Sequence, residues 1–245
     1  MTVLSHADFY TGYHKARARL LTHFYRFLFF EDWKQDIWAK RFIRDHIRYR
    51  DELMCAAAKI ILAVRDRARK NRKQPDSNGQ FDSLHIRRGD FQFKKTRIEA
   101  DEIYQQIKDK LKPGGTLYIA TDERKKDFFK ILKENYDVCF LDDFKHLIQD
   151  INTNYYGMLD QLVSAKGRVF FGTYYSTLSG YIMRMRGYFS VKKKYQGYES
   201  GGLRDSYYIY PANYRNVMTE YQPPHGNMWE REFPISWHDI DKGAK

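Results

Sequence analysis

From residue 81 onward the chain alternates short apolar runs with longer amphipathic ones, and this alternation restricts the fold more than any other feature of the sequence. Asp82–Ile86, Thr116–Ala120, Val138–Leu141 and Arg168–Phe171 read as strands. Between and after them, Glu99–Leu111, Arg124–Glu134, Ile151–Ser164 and Ser176–Met185 carry helical spacing, with a turn at Pro113–Gly115. Strands that alternate with helices of about ten to fifteen residues imply βαβ units, a parallel sheet and right-handed crossovers. The expected fold class is therefore α/β, a Rossmann-like parallel sheet with flanking helices.

The first eighty residues are of another kind. From Ala16 to about Arg69 apolar residues recur at three- and four-residue spacing, with no Pro or Gly after Gly12, which predicts helix. Ile43, Ile47, Leu53, Ala57, Ile60, Ile61 and Val64 form its expected buried stripe. The loop Gln74–Gln80, QPDSNGQ, marks a boundary. We expect a mainly helical amino-terminal segment over 1–80 and a sheet domain over 81–245. Beyond Gly187 regularity is lost, and the aromatic tail GNMWEREFPISWHDI is expected to pack back on the sheet.

Twenty Tyr and seventeen Phe exclude a disordered chain. The net charge of +12 fits a polyanion, a membrane surface or a phosphate-bearing substrate without choosing among them. Cys55 and Cys139 lie too far apart for a metal spacing and read as two small buried hydrophobes. No run is long enough to span a membrane, and no signal peptide is visible after Met1.

Chemistry collects where strands end. HIRRGD places His85, Arg87, Arg88 and Asp90 at the carboxyl end of the first strand, around Gly89. In an open α/β sheet ligands bind outside that end, and guanidinium forks suit phosphate. LYIATDERKK ends a second strand in Thr121 and Asp122, which either cap the next helix or face a ligand. RVFFGTYYSTLSG runs a third strand into Thr173, Ser176 and Thr177, hydroxyls that open a helix as a cap or a phosphate cradle. Asp160 sits alone on the preceding helix. There is no catalytic triad, Walker loop, GxGxxG, HExxH or metal-ligand spacing, so the site reads as built on arginine, with no metal and no cofactor.

HIRRGDF resembles the HxRxxD signature of the GDP-fucose protein O-fucosyltransferases, and LHIRRGDFQF looks most like their thrombospondin-repeat branch. LYIATDERKKDF and MLDQLVSAKGRVFFGTYYSTLSGYI are similar to two further signatures of that family, in the same order. The resemblance covers roughly residues 81–187 and implies a GT-B enzyme that moves fucose from GDP-fucose to a hydroxyl of a protein or glycan, inverting and metal-independent. By it, Arg87 contacts the diphosphate and stabilises departing GDP, His85 and Asp90 shape that site or contact the nucleotide, and Gly89 allows close approach, while Arg88 is either a second phosphate contact or a surface ion pair. Asp160 accepts from the guanine edge, Ser176 and Thr177 hold phosphate oxygens with Thr173 nearby, and Asp122 lines the pocket. Family members carry a full α/β domain and a glutamate base upstream; here Glu99 is the local candidate for that base, against a plain role in the first helical turn. The resemblance also implies the secretory pathway. A second reading from charge and rings is a polyanion-binding module using Lys192–Lys194 and the tyrosines of 207–214; nucleic acid is not the favoured partner.

Overall fold

The computed structural model describes residues 49–89, 96–195, 203–214 and 217–221, with residues 32, 34, 35 and 38 before them. Helix α1 (Asp51–Lys70) leads into β1 (Asp82–Ile86), α2 (Ala100–Ile107) and β2 (Thr116–Thr121). A 3₁₀ turn (Lys126–Phe129) then precedes α3 (Lys130–Asn135), β3 (Asp137–Cys139), α4 (Tyr156–Ser164), β4 (Phe170–Thr173) and α5 (Thr177–Lys193), followed by β5 (Ser206–Ile209) and β6 (Met218–Glu220). The six strands lie in the order β3-β2-β1-β4-β5-β6. All neighbours are parallel except β5 and β6.

This is a Rossmann-like, doubly wound sheet, and its direction of winding reverses between β1 and β4. The reversal follows from which face each crossover covers. Leu84, Ile86, Leu117, Ile119 and Phe171 point to one face, where Ile103 and Ile107 of α2 and Leu132 of α3 complete a core. Phe81, Tyr118 and Ala120 point to the other, against Leu53, Ile60 and Val64 of α1 and Leu159 and Val163 of α4. Phe170 and Tyr208 extend that second face beneath Ile182 and Met183 of α5. Strands buried on both sides explain the unbroken apolar runs of the sequence.

The expected stripe of α1 is buried at Leu53, Ala57, Ile60 and Val64, while Ile43 and Ile47 lie outside the described residues. Because α1 shares its core with α4 and β2, the 74–80 loop joins a helix and a strand of one packed unit. Arg67 secures the end of α1 to β3, with Nε and Nη2 on the two oxygens of Asp137 at 2.9 and 2.6 Å.

Four expectations need correction. Cys55 is exposed, because it falls on the outer side of α1; Cys139 is buried as expected. The third strand begins at Asp137, paired with Thr116, and Leu141 already opens a 3₁₀ helix. The Arg124–Glu134 helix is a 3₁₀ turn plus a short α-helix, a tight path that lets Phe128 and Phe129 meet edge to face at 4.9 Å. Order also continues past Gly187: α5 runs to Lys193, and β5 and β6 follow. Beside that glycine, Arg186 ties α5 to the chain around β4 and β5 by donating to the carbonyls of Gly167, Arg168 and Asp205 and to Ser206 Oγ. The aromatic tail lies outside the described residues.

Candidate active site

The crevice at the switch point is formed by the carboxyl ends of β1, β2 and β4 and the start of α5. Thr173, buried at the end of β4, locks two strands together. Its hydroxyl donates to the carbonyl of His85 at 3.0 Å and accepts the Arg87 backbone N–H at 3.2 Å. α5 comes down onto β4 at Gly172, where any Cβ would stand 2.7 Å from Cβ of Ser179. That approach brings Ser179 Oγ to 2.7 Å from Nδ1 of His85. Burial pushes the His85 imidazole down to about 4, and the Arg87 cation acts the same way against the pull of Asp122. His85 is therefore a neutral seat for α5, beneath the crevice floor.

Above that floor, Asp122 organises the chain that leaves β1. Its carboxylate accepts the backbone N–H of Arg88 at 2.7 Å and of Gly89 at 2.9 Å, and pairs with Nη1 of Arg87 at 3.0 Å. A Cβ at Gly89 would collide with the Asp122 carboxylate, so any side chain there would displace the clamp. Charge-assisted bonds of this type contribute roughly 1.5–3 kcal/mol each, and here they hold the Arg87 guanidinium at the crevice, 28 % exposed.

The two adjacent arginines part company. Arg88 turns to the other side, its side chain only 12 % exposed. Its guanidinium donates to the Ile98 carbonyl at 2.6 Å, meets Glu123 at 3.2 Å and Glu99 at 3.3 Å, and stacks 3.9 Å over the Phe128 ring. Glu99 stands just ahead of α2, with its backbone N–H donating to the Glu102 carboxylate and its own carboxylate 65 % exposed.

Ser176 is buried and its carbonyl accepts the N–H of Gly180, so it caps α5; Thr177 is exposed at the first turn. On the β2 side of the crevice, Asp160 of α4 accepts the Tyr118 hydroxyl at 2.7 Å. Burial pushes the Asp160 carboxyl up to about 7, against the lowering effects of the Tyr118 hydrogen bond and of Lys126.

An arginine clamped at a switch point, beside hydroxyls opening a long helix, is an arrangement for an anionic nucleotide. A family model described as GDP-fucose protein O-fucosyltransferase matches residues 3–189. The chain belongs to that family. No curated protein matches it. Membership makes it a fucosyltransferase that uses GDP-fucose, and the Rossmann-like sheet fits the nucleotide domain of such enzymes.

In this family member the structure gathers His85, Arg87, Gly89, Asp122, Thr173, Ser176 and Thr177 around one crevice. Arg88 and Glu99 form a neighbouring ion pair, Asp160 lies to the β2 side, and Asp90 lies outside the described residues. Sequence reasoning passed over Ser179, Glu123 and Tyr118. Ser179 lies inside the quoted YYSTLSG run, where its spacing from Ser176 was the available signal. Tyr118 gave none, since a strand tyrosine among Leu117 and Ile119 reads as core. Among the described residues no group of three or more histidine, cysteine, aspartate or glutamate side chains could hold a metal ion, and no helix is long and apolar enough to cross a membrane.

Proposed function

We propose that the crevice holds GDP-fucose with its diphosphate between Arg87 and the amino terminus of α5, and that fucose passes with inversion to a hydroxyl on a protein acceptor without a metal. The observation that carries this reading is the Asp122 clamp, which fixes a guanidinium where strand ends and a helix start converge. As the acceptor oxygen forms its bond to the sugar's anomeric carbon, the bond from that carbon to phosphate breaks. Negative charge then grows on the departing diphosphate, where preorganised donors act most strongly. Arg87 and the helix terminus, with Ser176 and Thr177, supply those donors. Gly89 lets the loop come close, and Arg88, His85 and Thr173 keep Arg87 in place. Asp160 takes the donors of the guanine edge. Glu99, exposed and paired with Arg88, takes the acceptor proton.

A polyanion-binding module built on the 207–214 tyrosines fits less well, because Tyr207 and Tyr208 are buried in β5 and Tyr207 stacks on Phe171 at 5.3 Å.

Calorimetry with GDP tests the reading. Arg87→Ala should weaken GDP by about 1.5–3 kcal/mol, whereas Arg88→Met should lower unfolding stability by about 2 kcal/mol with a smaller effect on GDP. Absence of GDP binding, or an unchanged affinity in Arg87→Ala, overturns it. Hydrolysis of GDP-fucose against a panel of other GDP- and UDP-sugars gives donor specificity without knowledge of the acceptor. Glu99→Gln should lower turnover while leaving GDP affinity intact.

A further inference from the structure

The opposite end of the sheet carries a second concavity. A cavity of about 520 Å³ opens beside the amino ends of β1, β4 and β5. Phe81 at its wall and Arg87 at the donor crevice are six residues apart along one strand, a separation of roughly 20 Å. Six cations line it: Arg65 of α1, Lys166 and Arg168 of the chain entering β4, Arg186 and Lys193 of α5, and Arg204 before β5. Among the described residues the only acid in the lining is Asp205.

These cations divide by partner. Arg168 pairs with Asp82 at 2.8 Å, and Arg186 is spent on backbone carbonyls. Arg65, Lys166, Lys193 and Arg204 have no carboxylate within ion-pair reach among the described residues. Lys166 is the most confined of them, its ammonium 3.0 Å above the centre of the Phe189 ring. Burial first, and then the charges of Lys193, Arg65, Lys192 and Arg186, push its pKa down to about 8. A protein seldom collects like charges around a half-buried lysine without a counter-charge, because each raises the cost of keeping the others ionised. The volume exceeds what a bare ion needs and falls in the range of small-molecule sites.

We propose that this basal cavity binds a small organic anion bearing a phosphate or sulfate ester on a ring-sized body. The ester group sits among Lys166, Lys193 and Arg204, and the body lies against Phe189. Such a site is separate from the donor crevice and does not depend on what that crevice binds. In a transferase acting on larger molecules it offers a place for an anionic substituent of an acceptor or for a regulatory metabolite.

Calorimetry on the full chain with saturating GDP present, using a sulfated disaccharide in one arm and a hexose phosphate in the other, tests the proposal and separates the two sources. At least one probe should bind, and the Lys193→Gln/Arg204→Gln double variant should weaken it by about tenfold or more, equivalent to losing one charge-assisted contact. The charge-matched control Lys108→Gln/Lys110→Gln at the end of α2, and Arg87→Ala, should leave it unchanged. Lys166→Met probes the centre of the cavity and should abolish the fall in affinity expected between pH 7 and 9, as Lys166 loses its proton at about 8. Failure of both probes to bind, or equal losses in the control and the double variant, overturns the proposal. Loss of GDP binding alone would count against the donor reading and leave this one standing.

Discussion

The two ends of the sheet treat cations in opposite ways. At the carboxyl ends, Arg87 rests on Asp122, and Arg88 is held by Glu123 and Glu99. At the amino ends, Arg65, Lys166, Lys193 and Arg204 crowd one cavity without carboxylate partners among the described residues. A paired arginine is pre-positioned but partly neutralised, so it gains less from an incoming anion and gives more in orientation. An unpaired cluster has the reverse properties. It lowers the stability of the empty protein and recovers that loss when an anion arrives. Positioning suits a reaction centre, where a small misplacement is expensive in rate. Uncompensated charge suits a site whose purpose is affinity.

The largest test breaks the paired end. Asp122→Ala removes the acceptor of two backbone N–H groups and of the Arg87 guanidinium. Unfolding stability should fall by about 3 kcal/mol, and GDP binding should weaken although Asp122 need not touch the nucleotide. Asp122→Asn keeps one acceptor oxygen but loses the charge and the second acceptor, so chemical denaturation should place it between wild type and Asp122→Ala. Wild-type stability in Asp122→Ala would show that the clamp is incidental.

Much of this end was readable from the residues alone. Apolar runs that finish in HIRRGD, ATD and GTYYST located three strand ends, and strands buried on both faces leave little ambiguity about what such runs are. The motif assigns Arg87 to phosphate but leaves Arg88 open between a second phosphate contact and a surface ion pair, although successive residues leaving a strand point to opposite sides. What decides it is the set of partners, Asp122 for one and Ile98, Glu123 and Phe128 for the other, all distant in sequence. The amino end was legible least. Its cavity is assembled from five separate stretches of chain. The tyrosines of the neighbouring strand SYYI read as surface rings until Phe171 and Phe170 are seen beneath them.

A third region has the sign reversed. Asp160 is an acid in contact with the Tyr118 phenol and has no ion-pair partner among the described residues. Its carboxyl is raised from 3.8 to about 7, so the folded protein holds this proton more tightly than the unfolded chain does. The contribution to stability is full below pH 3.8 and is lost as pH climbs to about 7. Asp160→Asn should therefore be the more stable protein at pH 8, by about 2 kcal/mol, with the difference closing at acid pH. If guanine donors meet this carboxylate, GDP binding near pH 6 should release a proton in wild type and none in Asp160→Asn, measurable by calorimetry in buffers of different ionisation enthalpy. Equal proton release in both proteins would remove Asp160 from the nucleotide site.

The smallest effect is the most direct comparison of the two ends. Deleting a charge at the carboxyl ends should cost stability, whereas Lys193→Gln or Arg204→Gln, both at exposed positions of the basal cavity, should raise it by about 0.5 kcal/mol in low salt. The gain arises because each removed cation relieves Lys166 and its neighbours of repulsion, and it should shrink as added salt screens the cluster. It should also reverse in the presence of the anion that the cavity binds, since the ligand then loses a contact. Thermal unfolding at two ionic strengths, with and without the sulfated disaccharide or hexose phosphate, measures both signs in one experiment. A loss of stability at low salt without ligand would mean that these cations are already paired, and the contrast between the two ends would disappear.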